Sequence, residues 1–510
     1  MKRNSLTTAV VAGIAGVAGF AGLANAVDLN PDGLGQVLIY PYYTVNKGQD
    51  TLISVVNTTD VGKAVKVRFL EGYNSREVLD FNLFLSAFDV WTAAVSQVSD
   101  DGGAQINTAD KSCIDFIPSF PYPFSSAAYT GGVAGPGGAS YPKDSGPQTI
   151  DRTREGYLEM IEMGDIIVGS DLEAAITHAQ DGTYDGGTPD CGAPVGDDVA
   201  TDADLTNPTG GLFGAGSIVN VGEGTFFSYN SDAIEGFTEA KLYTTPSSLQ
   251  PTLQSASTPS VVDSGVARSF VFTDGGRLLT VDYPRGEDAV SAIFMADSIY
   301  NEFVVGNALG ANTDWVMTFP TRQFYVDKAR HPGADVNPFA EPFGATANGE
   351  SRVSASTEAL FDREGASAWP ASGNCGSPPL CPSHVVFPGL SYQVSVLAFA
   401  NTPASGVFGS QRRVLPMLTT QWDSFWTHAD TGSLALDLAS GDQGQHHLRA
   451  GATSDGVHVQ LTGLPVTGFM AYNVINTQAA PGRLANYGGT FRHRSLAHCT
   501  SDADAADPCQ

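Results

Sequence analysis

Residues 36–95 read QVLIYPYYTVNKGQDTLISVVNTTDVGKAVKVRFLEGYNSREVLDFNLFLSAFDVWTAAV. The stretch is rich in β-branched and aromatic residues, which fit the pleated, half-buried surface of a sheet. Turn-forming sequences at residues 46–48 and 59–62 divide it into short segments. Consecutive strands joined by tight turns run in opposite directions, so the stretch predicts an antiparallel sheet.

One segment of this stretch indicates how the sheet is buried. Val65, Val67 and Phe69 alternate with Lys66 and Arg68. Because successive side chains of a strand point to opposite faces, the apolar residues line one face and the charges line the other. The expectation is a sheet with one buried side and one side turned to solvent.

Similar short segments recur through the rest of the chain, whereas helical periodicity is scarce. Short strands at regular spacing, with turns between them, are typical of sandwiches. The predicted fold class is mainly β, with two immunoglobulin-like (or related) antiparallel β-sandwiches and long irregular insertions. One elongated sandwich with a single large insertion remains the alternative within the β class.

A chain of 510 residues exceeds one typical domain. A Thr/Ser/Pro-rich stretch is the best candidate for a linker, and a Gly/Pro/Asp-rich stretch reads as an insertion. The predicted organisation is a signal peptide at 1–26, an N-terminal β-sandwich at 27–243 with an insertion at about 99–216, a linker at 244–260, a C-terminal β-sandwich at 261–495 and a disulfide-closed acidic tail at 496–510.

The first 26 residues are typical of an export signal. Lys2 and Arg3 precede an apolar run at 9–23, and residues 24–26 (Ala-Asn-Ala) fit a cleavage site. The run is too short and too rich in glycine for a bilayer span, and no later run approaches the roughly 20 apolar residues that a span needs. The expected location is the cell surface, the extracellular space or the periplasm.

Six cysteines in an exported chain favour disulfides. Their spacing favours local pairing, although sequence alone leaves the connectivity open. The predicted pairs are Cys113–Cys191, Cys375–Cys381 and Cys499–Cys509. None of these pairs has CxxC spacing, so a zinc site is not expected.

The charge disfavours nucleic acid and anionic lipid as partners and suggests calcium as a bound cation. The net charge is −28, which repels nucleic acid and anionic lipid. Residues 181–204 hold seven aspartates and no Lys or Arg, and calcium takes its oxygen ligands from such loops. The candidate calcium ligands are Asp197, Asp198, Asp202 and Asp204. A solvated acidic loop is the favoured interpretation, because the spacing matches neither the EF-hand loop nor the RTX nonapeptide. No other cofactor is expected.

Other residue types with catalytic or metal-binding chemistry have ordinary structural interpretations as well. The favoured interpretations are a packed turn, a solvated salt-bridged face and histidines on opposite faces of a strand, respectively. These groups are Asp423 with His428, Glu358 with Asp362 and Glu364, and His446 and His447 with His458. An aromatic run at 118–124 is either a ligand patch or a loop anchored on the core by its rings.

Several segments resemble an uncharacterised family of exported proteobacterial proteins of the "cell surface protein" type. These segments are 54–59, 64–70, 74–81, 314–327, 463–473 and 484–493. An apolar strand that ends in Asn-Thr-Thr before a V-x-V-x-F strand is also similar to bacterial immunoglobulin-like sandwiches. The family resemblance implies a cell-surface location and transfers no site residue.

Together these observations predict a non-catalytic exported surface or extracellular protein that acts as a structural, adhesive or binding module. The expected partners are other cell-surface components or polysaccharide. The alternative is a secreted hydrolase of a polysaccharide or an ester, with Asp423, His428 and the carboxyl groups of 358–364 as its candidates.

Overall fold

The computed structural model describes the chain from residue 26 onward, with gaps. The described residues are 26–132, 142–178, 187–191, 202–246, 248–258, 266–274, 276–306, 310–333, 335–344, 350–366, 389–400, 406–411, 413–418, 431–441, 444–476, 479–480, 482–483, 485–503 and 507–509. Strands make up 47% of the structure and helices 10%. The predicted mainly β, antiparallel class is therefore confirmed, while its immunoglobulin-like form stays a prediction.

The strands before residue 244 form two antiparallel sheets. In chain order they are β1 Asp28–Leu29, β2 Val37–Thr44, β3 Asp50–Asn57, β4 Lys63–Glu71, β5 Glu77–Leu85, β6 Val90–Gln97, β7 Ala104–Asn107, β8 Cys113–Asp115, β9 Tyr122–Pro123, β10 Glu155–Ile166, β11 Leu205–Thr206, β12 Leu212–Asn220, β13 Thr225–Asn230 and β14 Asp232–Glu235. The eight-stranded sheet has the order β1-β14-β2-β10-β4-β5-β8, with β11 paired to β10. The six-stranded sheet has the order β13-β12-β3-β6-β7-β9.

The strands after residue 260 form the remaining sheets. They are β15 Ala267–Phe272, β16 Leu278–Tyr283, β17 Met295–Ala296, β18 Ser298–Val304, β19 Ala311–Thr318, β20 Val353–Ser354, β21 Ser356–Asp362, β22 Gly389–Leu390, β23 Val394–Ala400, β24 Arg413–Leu418, β25 Thr431–Asp437, β26 Ser440–Gly441, β27 Gly444–Gln445, β28 Gly451–Ala452, β29 His458–Thr462, β30 Leu464–Pro465, β31 Thr467–Val474, β32 Tyr487–Arg492, β33 Arg494–Leu496 and β34 His498–Ser501. The larger sheets have the orders β15-β16-β28-β29-β34, β21-β25-β18-β33 and β24-β23-β19-β31-β32. The β23–β24 pair is parallel, and β17-β30, β20-β22 and β26-β27 are two-stranded.

Helices are short connections between these sheets. They are α1 Ala127–Thr130, α2 Asp171–Ile176, α3 Gly286–Phe294 and α4 Arg322–Val326, with 3-10 turns at Asn46–Gly48, Ile150–Arg154, Asp202–Asp204 and Leu253–Ser255. Ser170 caps α2 by accepting the backbone N–H of Glu173 at 3.1 Å, as expected of an N-cap serine.

The two faces of β4 are both buried. Val65, Val67 and Phe69 pack in the apolar core, as the alternation predicts. The expectation that the opposite face meets solvent is wrong, because Lys66 and Arg68 are also buried. Each of these cations has a carboxylate partner on the neighbouring strand, which offsets the cost of removing it from water.

A cover segment, residues 241–246, explains why this charged face is buried. Lys66 Nζ donates to the carbonyls of Thr245 at 3.3 Å and Pro246 at 2.8 Å. Asn82 of β5 donates to the carbonyl of Thr244 at 2.9 Å. The start of the predicted linker thus lies against the eight-stranded sheet.

Strand pairing and side-chain packing divide the chain differently. Every ladder between the named strands keeps to one side of 244–260, and the isolated bridge between Val27 and Ser269 joins the two sides. The apolar clusters cross the same boundary: Phe469 packs in the core of the N-terminal sheets, and Ile39 packs in the core of the C-terminal ones. The division into two sandwiches stays a prediction.

Two disulfides close loops in the described part of the chain. Cys113 is bonded to Cys191, and Cys499 is bonded to Cys509, as their spacing predicts. Cys375 and Cys381 lie outside the described residues. Disulfides of this kind indicate an oxidising environment of the sort that exported proteins meet.

Among the described helices, none combines the length and the apolar character that a bilayer crossing requires.

Candidate functional site

The candidate calcium loop is only partly visible. Asp197 and Asp198 lie outside the described residues, whereas Asp202 and Asp204 belong to a 3-10 turn that leads into β11. Within the described ranges, no group of three or more His, Cys, Asp or Glu side chains is arranged to hold a metal ion. The calcium site stays a prediction.

The other sequence candidates do not assemble into one site where they are described. Asp423 and His428 lie outside the described residues, as does the side chain of Glu358. Asp362 accepts backbone N–H groups of the turn that follows β21, and Glu364 forms an exposed ion pair with Arg363.

The histidine group is divided between the core and the surface. His446 is buried with its Nε2 at 2.9 Å from the carbonyl of Ser354. His447 is half-buried and forms a bridge with Thr462, and His458 is exposed on β29.

The aromatic run at 118–124 is anchored on the core. The ring of Phe124 lies 5.0 Å from that of Phe69 and 5.8 Å from that of Tyr43. Phe120 and Tyr122 pack against the same cluster. The rings of this run therefore anchor a loop on the core, which is the structural one of the two interpretations of 118–124.

A different group of side chains forms an open cleft on the four-stranded sheet. We call it the aromatic cleft; its volume is about 540 Å³. Its lining consists of Tyr300, Asn301, Glu302, Phe361, Ser433, Leu434, Ala435, Phe491, Arg492 and Arg494.

The register of the sheet places the rings of this cleft. Ser433 of β25 lies between Phe361 of β21 and Glu302 of β18. Two residues along, Ala435 lies beside Tyr300, and Tyr300 lies beside Arg494 of β33. Residues two apart on a strand share a face, so both rows face the same side of the sheet.

The bottom of the aromatic cleft is lined by small side chains, and its sides are lined by aromatic rings. Ser433 and Ala435 contribute little volume, which leaves a trough between the rings of Phe361 and Tyr300. These rings are 41% and 39% exposed, and Phe491 is 50% exposed. Three large exposed rings around one trough are unusual, because burial is the ordinary state of such side chains.

The third ring comes from the end of β32. Phe491 stacks on Tyr472 of β31 with ring planes 4° apart and centroids at 6.4 Å. Asn301 of β18 donates to the carbonyl of Phe491 at 3.1 Å. This contact fixes β32 against the edge of the four-stranded sheet.

A buried histidine holds the same junction. Asn301 Nδ2 lies 3.1 Å from His493 Nδ1, and His493 Nε2 lies 3.0 Å from the carbonyl of Val316. An amide N–H donates to Nδ1 only in the tautomer that carries its proton on Nε2. Burial, together with the charge of Arg492, lowers the pKa of His493 to about 4. The ring is therefore neutral near pH 7.

Two arginines lie at one end of the cleft, and one of them is paired with a carboxylate. Arg492 is 60% exposed and forms an ion pair with the buried Asp232 at 2.6 Å. Arg494 is exposed, and no described carboxylate pairs with it. Residues 456–501 contain no Asp or Glu, although the whole chain has a net charge of −28.

Sequence reasoning did not identify this cleft. The one local indication of a site is that Tyr300 is exposed, whereas Ile299 and Phe303 of the same strand are buried. Phe361 lies near Tyr300 because β25 pairs with both of their strands. β25 lies more than a hundred residues beyond Tyr300 in the chain, and a single sequence does not reveal such distant pairing.

No protein-family model, no curated protein and no solved structure matches this chain.

Proposed function

We propose that the protein is a non-catalytic exported binding protein whose aromatic cleft holds an acidic polysaccharide. The observation that carries the proposal is the trough between Tyr300 and Phe361, with Arg492 and Arg494 at its end. A cleft of about 540 Å³ falls in the range of about 300–1,000 Å³ that is usual for ligand sites.

The chemistry of the lining fits a sugar chain. One face of a pyranose ring carries mainly C–H groups, which stack against an aromatic ring and exclude water from it. Ser433 and Glu302 supply hydrogen-bonding groups that sugar hydroxyls require. An arginine guanidinium binds a carboxylate through paired hydrogen bonds, which favours sugars that carry carboxylates.

The charge distribution favours a local contact. A surface with a net charge of −28 repels a polyanion at long range. Attraction is restricted to Arg494, because Asp232 offsets the charge of Arg492 and Glu302 adds a negative charge to the lining. Such binding should weaken with added salt, because exposed charges are screened beyond about 10 Å at 0.1 M.

The proposed location is the outside of the cell, where such polysaccharides occur. The two disulfides support an oxidising compartment. The export signal predicted at residues 1–26 supports the same assignment.

The test is binding to a carboxylated polysaccharide, polygalacturonate, compared with the neutral dextran. Affinity electrophoresis and calorimetry should show binding to the first polymer alone. Tyr300→Ala and Arg494→Gln should each weaken it about tenfold, the equivalent of about 1.4 kcal/mol. Phe272→Ala is the matched control, since Phe272 is 69% exposed on another sheet.

Equal binding of both polymers, or equal loss in Phe272→Ala, would contradict the proposal. Release of reducing ends from the polysaccharide would instead support the alternative of a secreted hydrolase.

A further inference from the structure

A lysine and an aspartate meet in the buried part of the eight-stranded sheet. Lys63 of β4 and Asp165 of β10 are direct partners in the ladder between these strands. Lys63 Nζ lies 2.5 Å from Asp165 Oδ1, and both side chains are almost fully buried. Water therefore has little access to either group.

A second carboxyl group completes the cluster. Glu162 Oε1 lies 3.0 Å from Lys63 Nζ, and the side chain of Glu162 is fully buried. Residues three apart on a regular strand point to opposite faces. The ladder shifts register between Glu162 and Gly164, and this bulge brings Glu162 and Asp165 to the same lysine.

The cluster holds one cation and two carboxyl groups, so one carboxyl is protonated in the neutral state. Burial, and then the hydrogen bond to Asp165, raise the pKa of Glu162 well above its usual value. Burial also raises the pKa of Asp165, but hydrogen bonds from Glu162, Lys63 and Thr209 outweigh it and leave that pKa below its usual value. The proton of the cluster therefore favours Glu162 over Asp165, while the oxygens of Glu162 also accept the backbone N–H groups of Thr209 and Gly210.

We infer that Lys63 and Asp165 join in an intramolecular amide bond. A proton passes from the ammonium of Lys63 to the carboxylate of Asp165, and the neutral amine attacks Asp165 Cγ. The new bond is Nζ–Cγ, and the bond that breaks is Cγ–Oδ1. In net terms Nζ loses two protons and Oδ1 gains two, so Oδ1 leaves as water.

The neighbouring groups supply the remaining chemistry. Glu162 donates its proton to the leaving oxygen and takes one from the nitrogen, so it ends the step as it began. Thr209 Oγ1 donates to Asp165 Oδ2 at 2.7 Å, where negative charge develops during the attack. No oxidant or other reactant is needed, because one ammonium and one carboxylate give one amide and one water.

A second buried pair serves as an internal comparison. Lys66 Nζ lies 2.5 Å from Asp80 Oδ2, so the contact itself is equally close. Lys66 also donates to the carbonyl of Pro246. Burial, and then the charge of Glu77, raise the pKa of Asp80, but Glu77 is itself paired with Arg68 at 2.8 Å and is not available to move protons. Without a group to move the protons, this pair should remain an ion pair.

Mass spectrometry of the reduced, purified protein tests the inference. The wild-type chain should be lighter by one water than its sequence from the measured N-terminus. Trypsin should fail to cleave after Lys63, and a peptide containing Lys63 should be joined to one containing Asp165. Peptide mapping also separates this product from a cyclised aspartate, which loses water within a single peptide.

Variants assign the roles. Lys63→Arg keeps the charge and Glu162→Gln keeps the shape, and both should retain the full mass. Lys66→Arg, the matched control, should still lose one water. A wild-type chain of full mass would overturn the amide, and water loss in Glu162→Gln would overturn the role of Glu162. The mass of the wild-type chain alone decides whether the amide forms, so that part of the test does not depend on whether a variant folds.

Discussion

Asp28 and Glu235 oppose each other across the ladder between β1 and β14. Like charges at directly opposed positions of a sheet repel each other. Burial, and then the charge of Asp28, raise the pKa of Glu235 to about 7, and burial raises the pKa of Asp28 to about 6. This pair therefore makes the stability of the protein depend on pH in the neutral range.

Glu235→Gln should stabilise the protein more at pH 8 than at pH 5. The folded pKa of Glu235 is raised, so the protonated group stabilises fully below the usual pKa of 4.5, and that contribution is lost as the pH rises through about 7. Glutamine does not titrate. The variant should gain about 1–2 kcal/mol at pH 8, a figure reduced for solvent screening of a partly exposed group.

Urea unfolding at the two pH values measures this difference. Glu364→Gln, at an exposed position, should unfold like the wild type at both. A gain in Glu235→Gln that is the same at pH 5 and pH 8 would show that the folded protein does not raise the pKa of Glu235.

At the scale of single elements, the disulfides differ in how much of the chain they constrain. Cys113–Cys191 joins positions 78 apart, whereas Cys499–Cys509 joins positions 10 apart. In the chain-entropy account a disulfide stabilises by restricting the unfolded chain, and the effect grows slowly with loop length. The longer loop attaches β8, at the edge of the eight-stranded sheet, to a distant segment.

Replacing both cysteines of a pair by serine should therefore cost more at the first site. We expect a loss of about 4–5 kcal/mol for Cys113→Ser with Cys191→Ser, and about 2–3 kcal/mol for Cys499→Ser with Cys509→Ser. Urea unfolding without reductant measures both. Equal losses of stability in the two variants, or a larger loss at Cys499–Cys509, would contradict the entropic explanation.

The strands themselves show how much of the fold is readable from sequence. The alternation of Val65, Val67 and Phe69 predicts β4 and its core face, because that information is local. The burial of Lys66 and Arg68 depends on Asp80 and Glu77 of another strand and on the cover segment, about 180 positions away. Charge in a strand normally signals solvent, and only these partners reverse that inference.

The aromatic cleft is hidden from sequence for the same reason. Tyr300 and Phe361 become neighbours only because β25 pairs with both of their strands. Long-range strand pairing is what a single sequence leaves undetermined. The short spacing of Cys499 and Cys509 predicts their disulfide directly, and Cys113 and Cys191 are the pair that remains once the closely spaced cysteines are joined.

At the scale of the whole molecule, the two sides of 244–260 share buried contacts. Tyr229 of β13 stacks on Phe469 of β31, with centroids 5.0 Å apart. Arg76 Nη2 lies 2.9 Å from Asp327, and both side chains are buried. Removing one side of such contacts exposes apolar surface and leaves charges unpaired on the other side.

Phe469→Ala should accordingly weaken both halves together. A large-to-small change at a buried phenylalanine costs about 3–5 kcal/mol, and Phe469 is 2% exposed. Hydrogen exchange should show equal loss of protection in β4 and in β19. Phe226→Ala, at a ring that is 56% exposed, is the control and should leave both unchanged. A loss of protection confined to β19 would mean that the parts of the chain before and after 244–260 unfold independently.

The ladder between β19 and β31 also determines when folding can finish. Asn312 and Asn473, which it brings together, are 161 positions apart in the chain. Synthesis proceeds at about 5–20 residues per second, so β31 becomes available to pair with β19 at least several seconds after β19 has been synthesised. Such a high contact order also slows the search for native pairs. Until then the edge of β19 that β31 covers keeps its backbone N–H and C=O groups unpaired and can pair with another chain, so this ladder closes only after β31 has been synthesised.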